Sequence, residues 1–362
     1  MTQTSTTTST LPDPERLQAL LGTVVTELGA VPSAGLLVLG QRLGLFDAIA
    51  SHGPCGSQAL ADATGTDERY VREWSLAMAA AGYVDRDAST GEVSLCPEQR
   101  LVLLPGGPVS APVGAATWLA VVSDLEALER AFRSGDGIGW HQQHHDLAPG
   151  VDAFFRPGYE AFLTTEWLPA LDGVVERLEA GARVLDVATG HGSAPLIVAA
   201  AYPLTHVLGV DYHRDSVVAA REAALRSGLD DRVEFEVADA TDLPSIPMGG
   251  WDLVTTFDAL HDLPDPGAVA RRVREVLSAD GTWMVVEPAA GDDPADNLHP
   301  VGRFYYAAST FLCVPNARWH GGTGLGAQAG EGPIRDLAVE AGFNRVSCVA
   351  RTPFNAVYEI RP

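Results

Sequence analysis

The chain has 362 residues, 46% hydrophobic and 20% charged, which is enough apolar material to bury the cores of two domains and too much for a disordered chain. Its 24 basic residues, all arginine, face 47 acidic ones, giving a formal charge of −23. A field of that sign repels nucleic acid and anionic membrane surfaces at long range, so the expected partner is a small molecule or another protein.

The four cysteines, Cys55, Cys96, Cys313 and Cys348, form no CxxC pair, which argues against a disulfide framework or a thiolate zinc site and fits a reducing cytoplasm. Residues 1–12 lack a basic n-region and an apolar h-region and read as a disordered polar tail. The longest apolar stretches, such as Ala30 to Leu39, are interrupted by Pro, Ser and Gly. They fall short of the roughly 20 residues a membrane span needs, so no membrane partner is expected.

Residues 13–110 read as a small helical domain. Leu17, Leu20, Leu21, Val24, Val25 and Leu28 recur at offsets of three and four, predicting one apolar helix face that packs either on its own domain or on a second subunit. Three further helical periods end at Gly82, and EVSLCP then supplies a short β element, the pattern of a winged helix. Gly65 is expected to end the second of these helices and Asp67 to cap the third, which would bury Tyr70, Val71, Trp74, Met78 and Ala81. The third helix offers Arg69 and Arg72 against Asp67, Glu68 and Glu73. That balance favours packing or dimerisation over DNA binding.

Residues 111–175 read as a helical connector and lid. His141, His144 and His145 have no HExxH arrangement, which points to a solvated or substrate-facing role rather than a metal site. Trp140 and Tyr159, with Phe154, Phe155 and Phe162, are candidates for the wall of an apolar pocket.

From residue 176 to 362 the pattern alternates strand and helix. ARVLDVATGHG predicts a strand, a glycine-bearing turn and a helix, with Asp186 at the strand end, Ala188 in the turn, and Gly190 and Gly192 allowing close backbone approach to a ligand. HVLGVD ends in Asp211, 25 residues on, where a carboxylate can take both ribose hydroxyls; Tyr212 follows it. Asp239 and Ala240 close a third strand, placing Asp239 to accept an adenine amino group. Three acidic strand ends together outline an adenosine pocket, since open α/β sheets bind ligands at the carboxyl ends of their strands.

Through DVATGHG, GVD, ADATDLP, WDLVTTFDALHDLPDP and GTWMVVEP, in that order, the chain resembles the class I S-adenosylmethionine-dependent methyltransferases, with Ala188 where that family usually has its first glycine. With the winged-helix front, nearly the whole chain resembles small-molecule O-methyltransferases of secondary metabolism, which commonly form homodimers. The resemblance implies an α/β fold with a Rossmann-like seven-stranded sheet closed by a C-terminal antiparallel hairpin, and S-adenosylmethionine as cofactor. It also implies that His261, in the LHD segment, is the general base for methylation of a hydroxyl, with Asp262 as the second catalytic candidate. Phe257 and Asp258 are expected at the sulfonium and amino-acid end of the cofactor.

The long segment 291–332 is read as a substrate-binding insertion. Tyr305 and Tyr306, with Phe311 and Cys313, would line the acceptor pocket, and His299 and Arg303 would be its polar groups. Two alternatives stand beside this reading. One is metal-assisted C-methylation of an α-keto acid, with His261 and His299 or His320 as ligands. The other is a non-enzymatic regulator that binds a metabolite on the sheet.

Overall fold

The computed structural model describes residues 11–244 and 250–362; the expected tail at 1–12 lies almost wholly outside the described residues. The chain divides into two compact units, one up to Leu119 and one from Ala120 onward.

In the first unit Asp13 caps a single helix, Pro14–Arg42, accepting from the Glu15 amide at 2.9 Å. The helix runs through Pro32, so the separate helical periods expected here are continuous: one missing N–H and its local strain do not stop a helix of this length. Leu17, Leu20, Leu21, Val24, Val25 and Leu28 are all exposed, from 43% at Val24 to 69% at Val25 and Leu28. Packing of this face on its own domain is therefore not what the structure shows.

Pro14–Arg42 and the helical run Ala111–Ser134 are long and apolar enough to cross a membrane by length and composition, although only 11% and 33% of their apolar windows are buried. This corrects the expectation that proline and glycine break every such stretch. Length and composition alone do not separate a span from a soluble protein's core helix or a signal sequence.

Helices Leu45–His52, Ser57–Thr64 and Glu68–Ala80 follow, then a hairpin of β1 (Asp85–Arg86) and β2 (Val93–Ser94). Gly65 ends the second helix at φ 65°, and Asp67 caps the third by accepting from the Arg69 and Tyr70 amides. That third helix buries Val71, Trp74, Ser75 and Met78, a stripe at offsets of three and four that packs on Phe46, Leu37 and Ile49. Tyr70 and Ala81 are exposed instead of buried, Tyr70 at 82%. Tyr70 sits about 90° round the helix from the middle of the buried stripe, and Ala81 is the C-cap, past the helix end.

The second unit is built on β3 (Arg183–Val187), β4 (His206–Asp211), β5 (Val233–Val237), β6 (Trp251–Phe257), β7 (Leu277–Pro288), β8 (Arg345–Arg351) and β9 (Asn355–Arg361), in the spatial order β5-β4-β3-β6-β7-β9-β8. The first five are parallel, and β9 runs antiparallel to both β7 and β8. Alternation places Val184, Val286 and Val357 in one core and Leu185, Val285 and Tyr358 in another, so both faces of the sheet are covered by helices. Chain direction across the sheet reverses at β3, whose neighbours are β4 and β6. This is the switch point where the carboxyl ends of parallel strands open a crevice.

Candidate active site

At that crevice β3 hands over to a tight turn. Ala188 takes φ 58° and Gly190 φ 54°, so the first turn position does demand the left-handed region, and Ala188 occupies it at a cost of about 1–2 kcal/mol. Gly192, at φ 79°, is required by packing: a Cβ there would stand 2.5 Å from the Phe235 ring. It caps helix Ser193–Ala201 from behind the turn and is not part of the cleft lining, whereas Gly190 is.

The cleft encloses about 1300 Å³, its open mouth included, and is lined by Asp186, Ala188, Gly190, Asp211, Tyr212, Asp239, Ala240, Phe257, Asp258 and Asp262 among others. Asp211 is held by two backbone amides, Gly190 N–H donating to Oδ2 and His213 N–H to Oδ1, each at 2.8 Å. Each oxygen keeps a further lone pair for a ligand hydroxyl. Asp239 lies two residues past the end of β5 and is exposed, its Oδ1 accepting from the Thr241 amide and hydroxyl. That hydroxyl holds its pKa below the usual carboxylate range.

Asp186 accepts from the Thr255 hydroxyl at 2.6 Å. Asp258, in the left-handed region at φ 48°, accepts from the Tyr159 hydroxyl at 3.1 Å and the Asn355 amide at 2.8 Å. Burial pushes Asp186, Asp258 and Asp262 each up to about 7, with the Glu287 charge adding to the effect at Asp258 and Asp262; burial also raises Asp211. Among the described residues no arginine lines the cleft. Several buried carboxyl groups around one cleft fit a positively charged ligand.

His261 sits on a 3-10 turn, Leu260–Asp262, just past β6, is 5% exposed and is not among the residues that line the cleft, although Ala259 and Asp262 on either side of it are. Its Nδ1 lies 2.5 Å from Glu287 Oε2, while Glu287 Oε1 accepts from the Leu260 amide at 2.9 Å. Nε2 faces Cys313 Sγ at 3.3 Å. Burial by itself would lower the imidazole; the Glu287 carboxylate and the Cys313 sulfur overcome it and hold His261 well above its ordinary range. Asp262 does not orient the ring, and the cap of the following helix, Pro266–Val276, is Asp265. Asp262 lines the cleft instead, beside Trp140. Sequence reasoning missed Glu287, although it stands near the carboxyl end of β7 in GTWMVVEP, the same strand-end signal that exposed Asp186 and Asp211.

Among the expected acceptor residues, Trp140 and Tyr159 line the cleft. His299, Arg303, Tyr305 and Tyr306 do not. His299 is exposed and caps helix Pro300–Ala308 through its Nδ1, which accepts from the Gly302 amide at 3.1 Å; Arg303 is exposed one turn on. Tyr305 is 4% exposed and donates to the Phe354 carbonyl at 3.0 Å. The start of an insertion is where polar pocket groups are expected, but the local helix start takes His299. The insertion contributes Asn316 and His320 to the cleft. Asn316 Oδ1 accepts from the Tyr212 hydroxyl at 2.7 Å, and that hydroxyl accepts from the Trp140 amide.

His261, His299 and His320 do not gather. Among the described residues the ligating group close enough to hold an ion is the exposed cluster His144, His145 and Asp146.

A methyltransferase-domain family model matches residues 178–312, and an Rv2258c-like winged HTH domain matches residues 33–104. The chain is 33% identical to 27-O-demethylrifamycin SV methyltransferase of Amycolatopsis mediterranei (strain S699) over 39% of its own length, spanning about half, 53%, of that relative. It is 31% identical to the ubiquinone biosynthesis O-methyltransferase of Xanthomonas axonopodis pv. citri (strain 306) over 53% of its length and 82% of the relative. The fold matches the solved mitomycin 7-O-methyltransferase MmcR at TM-score 0.66 and 22% identity, over 97% of this chain and 100% of that one. The sheet, the strand-end carboxylates and these likenesses define a methyltransferase. The chain belongs to the class I S-adenosylmethionine-dependent methyltransferases, with a winged-helix domain in front.

Proposed function

We propose that the protein methylates a hydroxyl of a small organic molecule, with His261 as general base. The observation that carries this reading is the buried His261–Glu287 pair beside a cleft rimmed by strand-end carboxyl groups. When bound, S-adenosylmethionine supplies an electrophilic methyl on a sulfonium sulfur.

Asp211 and Asp239 would hold the adenosine part, and Tyr212 and Ala240 would flank it. Asp186, Ala188 and Gly190 would face the amino-acid end with Phe257 and Asp258. Glu287 fixes the His261 ring through Nδ1 and leaves Nε2 as the nitrogen that takes a proton. Trp140 and Tyr159 exclude water and orient the acceptor.

In the winged helix Arg69 and Arg72 pair with Glu73 and Glu68, which supports packing over phosphate contact. The exposed stripe from Leu17 to Leu28 supports a homodimer formed through that unit. Against the α-keto-acid alternative stands the separation of its histidines: among the described residues, the group close enough to hold an ion is the exposed His144, His145 and Asp146, which includes neither His261, His299 nor His320.

The test is calorimetric titration with S-adenosylmethionine and S-adenosylhomocysteine, repeated on Asp211→Ala. Binding that weakens at least about tenfold, about 1.4 kcal/mol, supports the assigned pocket. No binding to the wild-type chain overturns the reading and leaves the regulator. Mass analysis of hydroxylated aromatic acceptors, with His261→Ala as control, then identifies the methylated atom.

A further inference from the structure

The two nitrogens of His261 are not equivalent. Nδ1 belongs to Glu287, so Nε2 is the nitrogen left for an acceptor, and in this structure it faces the thiol of Cys313. That thiol is 7% exposed and ends a π-turn, Ser309–Cys313, a local widening of the helix that re-aims one side chain and recurs at functional sites. The same insertion grips the histidine turn elsewhere: the Leu325 and Gly326 amides donate to the His261 carbonyl at 2.9 and 3.0 Å, and Asn316 Nδ2 donates to the Asp262 carbonyl at 3.3 Å.

We propose that Cys313 is a positioning residue for His261, its sulfur holding Nε2 just behind the cleft lining until an acceptor's hydroxyl takes its place. The inference rests on His261 being the base and names how that base is kept aimed before an acceptor arrives. Sulfur suits the task because it is a weak hydrogen-bond partner. It keeps the ring in place, yet an incoming hydroxyl makes a stronger bond to Nε2 and displaces it. A serine hydroxyl at the same position would hold the ring as well but compete harder with the acceptor.

The groups that face the imidazole are Glu287 from β7, Asp258 from the end of β6, Asp262 from its own turn and Cys313 from the insertion. Glu287 and Cys313 both favour the protonated ring. Removing the sulfur therefore lowers the titration midpoint of His261.

The experiment uses the full chain, labelled with 15N-histidine, without cofactor or acceptor. His261→Gln assigns the resonance, and Cys313→Ala and Cys313→Ser are titrated beside the wild type. Cys313→Ala is expected to lower the His261 midpoint by about half a unit or more and to broaden Nε2, while Cys313→Ser stays closer to wild type. A Cys313→Ala midpoint equal to wild type, in a variant whose circular dichroism is native, overturns the proposal. If Cys313→Ala does not fold, Cys313→Ser carries the test: with a hydroxylated acceptor that the wild type methylates, it raises the acceptor KM several-fold and leaves kcat nearly unchanged. A fall in kcat at constant KM overturns the displacement. Because the titration contains no cofactor, its outcome is independent of the calorimetric test of methyl transfer.

Discussion

The two sides of the cleft are held by different kinds of contact. On the cofactor side the bonds are short-range or follow the parallel register: Asp211 takes the His213 amide two residues on, Asp239 takes Thr241 two residues on, and Gly190 reaches Asp211 between neighbouring strands. On the acceptor side the partners are distant in sequence. His261 meets Glu287 and Cys313 at separations of 26 and 52 residues. A site written into strand ends is set once the sheet forms. One assembled from a connector and an insertion depends on how those segments pack, which is also where acceptor selectivity can vary without disturbing the cofactor.

The sharpest break between the sides is expected from His261→Ala. Loss of a positioned base should lower kcat about 10²- to 10⁴-fold, while calorimetric affinity for S-adenosylmethionine stays at the wild-type value. A parallel loss of cofactor binding would merge the two sides into one.

The next effect concerns charge. Asp186, Asp258 and Asp262 titrate at about 7 in the cofactor-free protein. A sulfonium favours their ionised forms, so binding releases protons and affinity rises with pH. The preference for S-adenosylmethionine over the neutral thioether S-adenosylhomocysteine should grow by up to about tenfold per coupled acid between pH 6 and 8. Titrations at both pH values check this, and a ratio that does not change would remove these acids from the sulfonium's surroundings.

A smaller change is expected at the base itself. His261 is held above its ordinary range, and the base must be unprotonated. Turnover therefore rises with pH, with its limb above the usual imidazole midpoint of about 6.5. Glu287→Gln should move that limb down and reduce kcat, as read from a pH–rate profile.

The smallest effect is assigned to His299→Ala. Removing a helix cap costs about 0.5–2 kcal/mol, seen as a lower Tm, with kinetics unchanged. A raised acceptor KM would return His299 to the pocket.

The same division governs how much of the molecule could be read in advance. Asp186, Ala188, Gly190 and Asp211 were legible because a strand end and a tight turn are local events, and the left-handed φ of Ala188 follows from the turn alone. His261 is legible from its segment, but Asp262, the second catalytic candidate, turns into the cleft while Glu287 reaches the ring from the neighbouring strand β7. His299 and Arg303 were expected in the pocket from their place in a long insertion. Their helix start faces outward, a direction that spacing does not encode.

What the sequence by itself determined is the alternation of strands and helices and the acids at the strand ends, because period, turn chemistry and strand-end position are properties of contiguous residues, while the seven-stranded sheet was implied by the family resemblance. The tertiary structure alone decided that Glu287 and Cys313 take the two nitrogens of His261, that Asn316 reaches Tyr212, and that the Leu17–Leu28 face is left exposed. Each of these depends on where separate segments come to rest after burying their apolar faces, and a buried polar group takes whatever partner that packing brings within reach.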